Sequence, residues 1–187
     1  MQFQTNFLSH FYLTHLLIDK IIKSGNPKII NVCSASAEKG TINSIDELEK
    51  ISRISEQEYD AMKSYREAKL AQQISVLQFA RMPEYKKIKF SVIHPGIVNT
   101  NLFYRNSGLL YKIAMLPFVY LGYACGFFKT PKQGAKTTIF LSENDDYESG
   151  FYWNNTKKLT PNPISNDKNY AKQLYEWTLN KIKNANI

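Results

Sequence analysis

The chain has 187 residues, of which 43% are hydrophobic and 13% aromatic, and its 24 basic and 16 acidic side chains give a formal net charge of +8. This content of apolar residues excludes a disordered chain, and the length is typical of one globular domain. Two cysteines are too few for a disulfide framework or a four-thiolate zinc site, so we expect a reducing compartment. The basic residues are spread along the chain without a nucleic-acid-binding motif, so we predict no nucleic-acid partner.

The first part of the chain alternates between helical and strand patterns. Apolar residues recur with a helical period over residues 3–22, and the breakers of residues 24–27 end that helix. The short, β-branched run 28–33 predicts a buried strand, and a long polar connection follows over residues 34–60. A second helix is predicted from about residue 59 to residue 80.

The second part begins with a strand at 88–93, which leads directly into His94-Pro95-Gly96. The later elements are an apolar and aromatic segment at 102–128, a helix that starts at 130–135, a short strand at 150–153 and a closing amphipathic helix at 171–182. Strands that alternate with helices are typical of βαβ units. We therefore predict an α/β fold with a parallel sheet.

Residues at two predicted strand ends and on one helix face indicate proton-transfer chemistry. Tyr65 and Lys69 are four positions apart in the second helix, so both lie on one face. Ser34 follows the first strand, and Pro95-Gly96, with Thr100 shortly after, follows the next one. Open α/β sheets bind their ligands at the carboxyl ends of the strands. The sequence therefore predicts a site at this edge of the sheet.

The tyrosine and the lysine are the chemically informative pair. A tyrosine with its ordinary pKa of about 10 is a poor acid or base at neutral pH. A lysine ammonium one helical turn away stabilises the phenolate, so we expect Lys69 to lower the pKa of Tyr65. Tyr65 could then exchange a proton with a carbonyl or alcohol oxygen, and the Ser34 hydroxyl could hold the same oxygen.

Each of these features alone has an ordinary structural explanation. A Tyr-x-x-x-Lys pair is usually a buried tyrosine beside a solvated lysine, a serine after a strand is usually a cap, and Pro-Gly is usually a turn. Their order along the chain favours a functional site. That order is a helix with Asn6, a strand that ends at Ser34, a helix with Tyr65 and Lys69, and a strand that ends at residues 95–100.

Segments along the whole chain carry a recognisable family pattern. Residues 6–14 read Asn-Phe-Leu-Ser-His-Phe-Tyr-Leu-Thr, and residues 29–34 read Ile-Ile-Asn-Val-Cys-Ser. The other segments are residues 42–48, 68–71, 94–100, 130–135, 149–152 and 174–177. Together they resemble the carboxyl-terminal portion of a short-chain dehydrogenase/reductase of the retinol-dehydrogenase-like branch. Ser9 and Cys33 depart from that pattern, which has glycine and serine there.

The resemblance implies a proton relay. Tyr65 would be the general acid/base, and Ser34 would donate a hydrogen bond to the substrate oxygen. Lys69 would lower the pKa of Tyr65 and bind the nicotinamide ribose, while Asn6 would support a water that links Lys69 to solvent. The implied cofactor-binding residues are Tyr65, Lys69, Pro95, Gly96, Ile97 and Thr100, and the implied cofactor is NADP or NAD.

The family's Gly-rich phosphate-binding turn has no counterpart in the sequence. None of the 8 glycines form the Thr-Gly-x-x-x-Gly-x-Gly pattern, so the pyrophosphate site is expected to be absent. We interpret residues 1–187 as a single partial domain, the carboxyl-terminal part of a Rossmann-like, doubly wound parallel sheet without its N-terminal strands. A partial sequence or a gene model begun at an internal Met would explain this, as would a genuine short isoform. The strand at 28–33 would then lie at an open edge.

These features predict an oxidoreductase that interconverts an alcohol and a carbonyl by NAD(P)-dependent hydride transfer. The substrate would be apolar, such as a retinoid, a steroid or a lipid-like molecule. The alternative is a truncated, non-catalytic remnant that binds a partner or an apolar ligand. We predict no metal site, because His10 and His15 are five positions apart and no carboxylate or cysteine is placed to complete one.

The apolar segment at about 102–128 covers the substrate pocket in the family. Its uncharged part, residues 113–128, is shorter than the ~20 residues that a transmembrane helix needs. We expect this segment to cover the substrate first and to contact a membrane surface second, where the positive charge would favour anionic headgroups. Self-association stays open. We expect a cytoplasmic protein, at the cytoplasmic face of an internal membrane if the segment contacts lipid.

Overall fold

A computed structural model describes residues 2–100 and 108–184, apart from the side chains of residues 109–113. A π-helical turn at Gln4–Leu8 precedes the first α-helix. The α-helices are α1 (Ser9–Ile22), α2 (Ile45–Ser52), α3 (Ala61–Arg81), α4 (Leu109–Ala124), α5 (Pro131–Glu143) and α6 (Lys168–Asn184). The strands are β1 (Lys28–Val32), β2 (Lys89–Ile93), β3 (Ile97–Val98), β4 (Phe128–Lys129), β5 (Phe151–Asn154) and β6 (Lys157–Leu159).

The main sheet has the strand order β1-β2-β5-β6, and its first three strands are parallel. The crossovers between them contain α2 and α3, and then α4 and α5, as expected for βαβ units. Strands β3 and β4 form a separate parallel pair, which joins the segment after β2 to the segment before α5. The prediction of an α/β fold is confirmed, and the predicted parallel sheet is found in β1, β2 and β5.

Helices cover both faces of the sheet. On one face, Phe90, Val92 and Tyr152 belong to a large apolar core with residues of α1, α3 and α6. On the other face, Ile93 and Trp153 pack with Leu141 of α5 in a second, smaller core. Alternation of strand side chains between the two cores gives the doubly wound arrangement that the sequence predicts.

The connection at 34–60 holds more regular structure than its polar composition predicts. It contains a 3₁₀-helix at Ala35–Lys39 and then α2, which is capped by Ser44 through its side chain. Helix α2 has only eight residues and buries Leu48 alone, so it leaves little periodic signal.

The antiparallel strand β6 is a second difference from the prediction of a parallel sheet. It pairs with β5 across a two-residue turn at Asn155 and Thr156, which have φ angles of 49° and 62°. Asparagine tolerates this left-handed conformation, but a threonine there is unusual, which is why the sequence does not predict the hairpin.

Strand β1 is the outer strand of the described sheet and pairs with β2 alone among the described residues. The side chain of Val32 at its end is 47% exposed. This position agrees with the open edge predicted for residues 28–33.

Candidate active site

The carboxyl ends of the three parallel strands lie side by side at one edge of the sheet. The backbone N–H of Cys33 donates to the Ile93 carbonyl at 2.7 Å, and the N–H of His94 donates to the Trp153 carbonyl at 3.0 Å. Ser34 follows β1 within two residues, and Pro95-Gly96 follows His94 directly. The fold therefore brings these predicted site residues to one edge, where open α/β sheets bind ligands.

Ser34 caps the short helix that follows β1. Its backbone is extended, and its Oγ accepts a hydrogen bond of 3.1 Å from the backbone N–H of Ser36. A hydroxyl has one O–H to donate besides its acceptor capacity. The half-buried Ser34 hydroxyl thus combines a fixed position with a proton that it can donate to a ligand oxygen.

Helix α3 supplies Tyr65 and Lys69. It starts at Asp60, whose carboxylate accepts from the backbone N–H groups of Met62 and Lys63 at 2.8 and 2.9 Å. These bonds, that of Lys63 foremost, lower the pKa of the Asp60 carboxyl. Helix α3 packs against the 3₁₀-helix after Ser34, and contacts of Lys69 with Val32 and Cys33 place this part of α3 beside the carboxyl edge of the sheet. Tyr65 is half-buried, whereas Lys69 is buried.

The Lys69 ammonium is fixed by two hydrogen bonds. Its Nζ donates to the Val32 carbonyl at 3.2 Å and to Gln72 Oε1 at 2.9 Å, and Gln72 Nε2 in turn donates to Asn31 Oδ1. Burial lowers the pKa of Lys69 from its ordinary value. Two of the three N–H groups of the ammonium are used in these contacts, so its charge is held at the end of β1 by the protein itself.

Cys33 follows β1 directly and precedes Ser34. Its thiol is buried and donates to the Lys69 carbonyl at 3.2 Å. Burial raises the pKa of the Cys33 thiol to about 11, although the nearby Lys69 acts in the opposite direction. The thiol is therefore protonated at neutral pH and acts as a packing group.

Asn6 lies in the π-helical turn Gln4–Leu8 and is half-buried. Its Nδ2 donates to Gln2 Oε1 at 2.5 Å. A π-turn inside a helix disturbs the regular i→i−4 hydrogen bonds, and such turns are frequent at functional sites. The role of Asn6 in a water link to Lys69 stays a prediction.

His10, which the sequence analysis considers only as a metal ligand and excludes, lies near Lys69. It lies one helical turn after Asn6, and it lines a groove of about 340 Å³ with Asn31 and Val32. Desolvation lowers the pKa of His10, and the charge of Lys69 lowers it further. A sequence gives no sign of this proximity, because it depends on how α1 packs beside β1.

Gly96 forms the turn after β2, with a φ of +81° that strongly favours glycine. A Cβ atom at this position would lie 2.9 Å from Lys129 Cε, so the Lys129 side chain passes directly over the turn. Its Nζ donates to Asn154 Oδ1 at 3.1 Å, and the Asn154 amide lies 2.7 Å from His94 Nε2. The Gly96 N–H donates to His94 Nδ1 at 3.2 Å, which closes this polar cluster around the turn.

His94 is buried under this cluster. Desolvation lowers its pKa, the charge of Glu38 opposes that shift, and the charge of Lys129 adds to it. Glu38 in turn accepts a hydrogen bond of 3.1 Å from the Tyr152 hydroxyl. The lowered pKa favours the neutral ring, whose Nδ1 can accept the hydrogen bond from the Gly96 N–H and so hold the turn.

Ile97 and Thr100 follow the turn. Ile97 is 40% exposed and its backbone belongs to β3, which pairs with β4, while Thr100 is exposed. Residues 102–107 of the predicted substrate-covering segment lie outside the described residues. In the described ranges 2–100 and 108–184, no three His, Cys, Asp or Glu side chains are grouped to hold a metal ion.

Two buried side chains that the sequence analysis does not single out shape the connection after Ser34. Glu67, between Tyr65 and Lys69 on α3, accepts from the N–H and hydroxyl of Thr41 and from the N–H of Ile42, at 2.9–3.1 Å. Asn162 donates through Nδ2 to the Ala37 and Gly40 carbonyls, at 3.1 and 3.0 Å. Buried polar residues of this kind carry no signal in the sequence pattern, since their partners are backbone groups.

Comparison with known proteins finds retinol dehydrogenases and other short-chain dehydrogenases among the curated relatives of the chain. No family model matches it. Over 97% of its length the chain is 34% identical to human retinol dehydrogenase 14, of which it covers 51%. It is 31% identical to human WW domain-containing oxidoreductase and 29% identical to the chloroplastic short-chain dehydrogenase TIC 32 B of Brassica napus, covering 42% and 56% of those proteins. The predicted resemblance is confirmed, and the chain spans about half the length of the curated relatives it matches.

Solved structures agree on the fold. A Mycobacterium paratuberculosis protein of uncharacterised function superposes with a TM-score of 0.60 at 18% identity, over 94% of this chain and 57% of that one. Salutaridine reductase from Papaver somniferum superposes with a TM-score of 0.55 at 18% identity, over 81% of this chain and 53% of the reductase. The chain therefore has the architecture of part of a Rossmann-like domain.

Proposed function

From the homology of this chain to short-chain dehydrogenases, retinol dehydrogenases among them, we propose that it supplies the catalytic half of an NAD(P)-dependent oxidoreductase. The reaction would interconvert an alcohol and a carbonyl. The observation that carries the proposal is the buried Lys69 ammonium, fixed at the end of β1 one helical turn after Tyr65. Ser34, which follows the same strand, has a hydroxyl proton to donate beside it.

In the proposed mechanism, Tyr65 is the general acid/base. In the reductive direction its hydroxyl gives a proton to the carbonyl oxygen of the substrate as that oxygen becomes an alcohol, and in the oxidative direction the phenolate takes the proton back. The Ser34 O–H donates a hydrogen bond to the same oxygen and orients it. Lys69 holds a positive charge one helical turn away, at the end of β1. Such positioned proton transfer contributes about 10²–10⁴ in rate.

The donors at the carboxyl edge of the sheet fit the nicotinamide end of a dinucleotide. Lys69 has an ammonium for ribose hydroxyls, and the backbone at Pro95, Gly96 and Ile97 with the Thr100 hydroxyl offers groups for a carboxamide. When bound, NADP or NAD supplies or accepts the hydride. The chain contains no Gly-rich turn for the pyrophosphate, so this half would hold only one end of the cofactor.

We propose an apolar substrate, because the segment between Thr100 and α5 is itself apolar. Its residues 113–128 contain no charged side chain. Apolar area left in water costs about 25 cal/mol per Å², so such a segment favours an apolar occupant beside it. A retinoid, a steroid or a lipid aldehyde fits this chemistry.

A chimera tests the proposal, in which the N-terminal half of human retinol dehydrogenase 14 is joined ahead of residue 1. Tyr65→Phe should lower turnover by about 10³ or more with cofactor affinity unchanged, since only the proton donor is lost. Lys69→Ala should lower both turnover and cofactor affinity, because Lys69 has two roles. Tyr12→Phe, a tyrosine of α1 outside the proposed relay, is the matched control. A chimera that binds cofactor yet has no turnover would support the non-catalytic alternative, and an active Tyr65→Phe variant would refute the relay.

A further inference from the structure

Helix α4 is apolar on the side that faces away from the protein. Val119 is buried and Gly122 packs against the Phe128 ring, which fixes the inner side of the helix. The outer side carries Leu116, Tyr120 and Leu121, which are 63%, 79% and 60% exposed. At 3.6 residues per turn, the exposed positions from 114 to 124 cover more than half of the circumference.

Within residues 114–124 of α4, no charged residue lies on this outer side. Its members in the described part of α4 are Ala114, Leu116, Pro117, Phe118, Tyr120, Leu121 and Ala124. Phe127, in the turn that follows the helix, is also 55% exposed, so the run of exposed apolar residues continues past the end of α4. Contiguous exposed apolar surface of this kind marks a binding surface for a protein or a membrane.

The charges in the sequence stretch that contains α4 have one sign only. From Tyr85 to Ser142 the sequence contains no Asp or Glu but has seven Lys and one Arg, so this stretch alone carries a charge of +8. The remaining residues hold 16 basic and 16 acidic side chains and are neutral as a set. The entire net charge of the protein thus lies in the stretch that contains the apolar helix.

Two of these cations follow the apolar helix closely in the sequence, on α5. Lys132 and Lys136 are both exposed and lie four residues apart on α5, and therefore on one face of that helix. Helices α4 and α5 are joined through β4, against which both pack. An apolar surface with neighbouring cations complements a lipid surface with anionic headgroups, whereas a protein partner or a second copy of this chain would have to tolerate unpaired positive charge.

We propose that the outer side of α4, with Phe127, inserts into the headgroup region of an anionic membrane while Lys132 and Lys136 contact its phosphates. The contact is peripheral, and no helix in the described part of the chain is long and apolar enough to cross a bilayer. Tyr120, with an apolar ring and a polar hydroxyl, is suited to the depth where headgroups meet acyl chains. This inference goes beyond the proposed reaction and does not depend on it.

The test is co-sedimentation of the 187-residue chain with vesicles of phosphatidylcholine alone, and of phosphatidylcholine mixed with phosphatidylserine. We expect binding to the anionic vesicles only, weakened by added salt because exposed charges are screened. The double variant Phe118→Ser, Leu121→Ser should lower the bound fraction by roughly tenfold or more, since two large apolar side chains no longer insert. Lys132→Ala with Lys136→Ala should lower it by about tenfold as well.

The matched control is Leu13→Ser with Leu16→Ser on α1, whose leucines are each 55% exposed. This control should bind anionic vesicles as the unchanged chain does, and circular dichroism with urea unfolding should confirm that all variants stay folded. Equal loss in the control, equal binding to neutral vesicles, or full binding by the α4 variant would overturn the proposal. So would a dimer that the α4 substitutions convert to a monomer, or a higher KM for long apolar substrates in the chimera with vesicle binding unchanged.

Discussion

The Lys69 ammonium donates to the carbonyl oxygen of Val32 at the open edge of the sheet. Backbone groups of successive strand residues point to alternate sides, and the N–H of Cys33 points toward β2. The Val32 carbonyl therefore points away from β2, to the side on which β1 has no neighbour among the described residues. The Val32 carbonyl has no strand partner in the described sheet, and Lys69 supplies the hydrogen-bond donor for it.

Replacement of Lys69 by methionine should raise the free energy of unfolding of the 187-residue chain. Burial lowers the pKa of Lys69, which means that the charged form is less favourable in the folded than in the unfolded state. The pKa of Lys69 is lower in the folded than in the unfolded state, so the buried ammonium lowers the free energy of unfolding. This destabilisation decreases as the pH rises above the folded-state pKa. Urea unfolding at neutral pH measures the change. A lower stability would mean that the hydrogen bonds to Val32 and Gln72 outweigh the cost of burial.

Replacement of Glu67 by alanine should destabilise the chain by about 3 kcal/mol, because each buried donor left without its charged acceptor costs about 1–3 kcal/mol. Glu67 is 2% exposed and accepts from Thr41 and Ile42. Glu176→Ala is the control, since that carboxylate is exposed and lies 3.9 Å from Lys172. Chemical denaturation measures the free energy of unfolding of both variants. An equal loss of stability at the two positions would contradict a stabilising role of the Glu67 hydrogen bonds to Thr41 and Ile42.

Gly96→Ala should destabilise by about 1–2 kcal/mol, because a side chain in the left-handed region costs that much before any contact is counted. The new methyl group would also lie 2.9 Å from Lys129 Cε and displace that side chain from Asn154. Gly25→Ala is matched to it, since a Cβ there meets nothing within 4 Å. Thermal unfolding should separate the two, and a Gly96→Ala variant as stable as Gly25→Ala would show that the turn can relax.

Stability should fall as the pH is lowered from 7 to about 5.5, because burial lowers the folded-state pKa of His94 and His10 below the ordinary value of 6.5. As the pH is lowered, the unfolded chain binds protons that the folded chain does not. The free energy of unfolding therefore decreases as the pH decreases. The carboxyls with lowered pKa, such as Asp145, lose their contribution only at lower pH. His94→Gln should flatten the dependence in urea unfolding at a series of pH values. If the pH dependence of the free energy of unfolding is unchanged in His94→Gln, groups other than His94 cause it.

The 187-residue chain should bind NADH or NADPH far more weakly than a complete short-chain dehydrogenase. Its sequence has no Gly-rich turn, so most contacts to the phosphates and the adenine are lacking. Isothermal titration calorimetry with the chain and with the chimera measures the difference. Low-micromolar binding by the chain alone would require a compensating phosphate site.

The elements that depend on periodicity could be predicted from the sequence. The long apolar stripes of α1 and α3 and the short runs of β1, β2 and β5 all correspond to observed elements. The edge of the sheet that collects Ser34, Lys69 and Gly96 follows from the order of these elements alone.

The rest depends on contacts between distant residues. The Gln72 amide that holds Lys69, the Lys129 side chain over Gly96 and the Glu67 carboxylate under Thr41 are polar groups inside the fold. A polar residue is usually exposed, so its burial cannot be read from composition or spacing. The roles assigned to Asn6, Tyr65 and Thr100 stay predictions until the variants are measured.

The hydrogen bonds of Asn162 affect the order in which parts of the domain fold during synthesis. Asn162 bonds carbonyls at Ala37 and Gly40, more than a hundred residues earlier in the chain. Contacts between such distant positions form late, because the ribosome must first release the later segment and a long loop must then close. While the chain is being made, the stretch after Ser34 therefore lacks this support. A nascent chain stalled before residue 162 should expose that stretch to proteases, and completion of α6 should protect it.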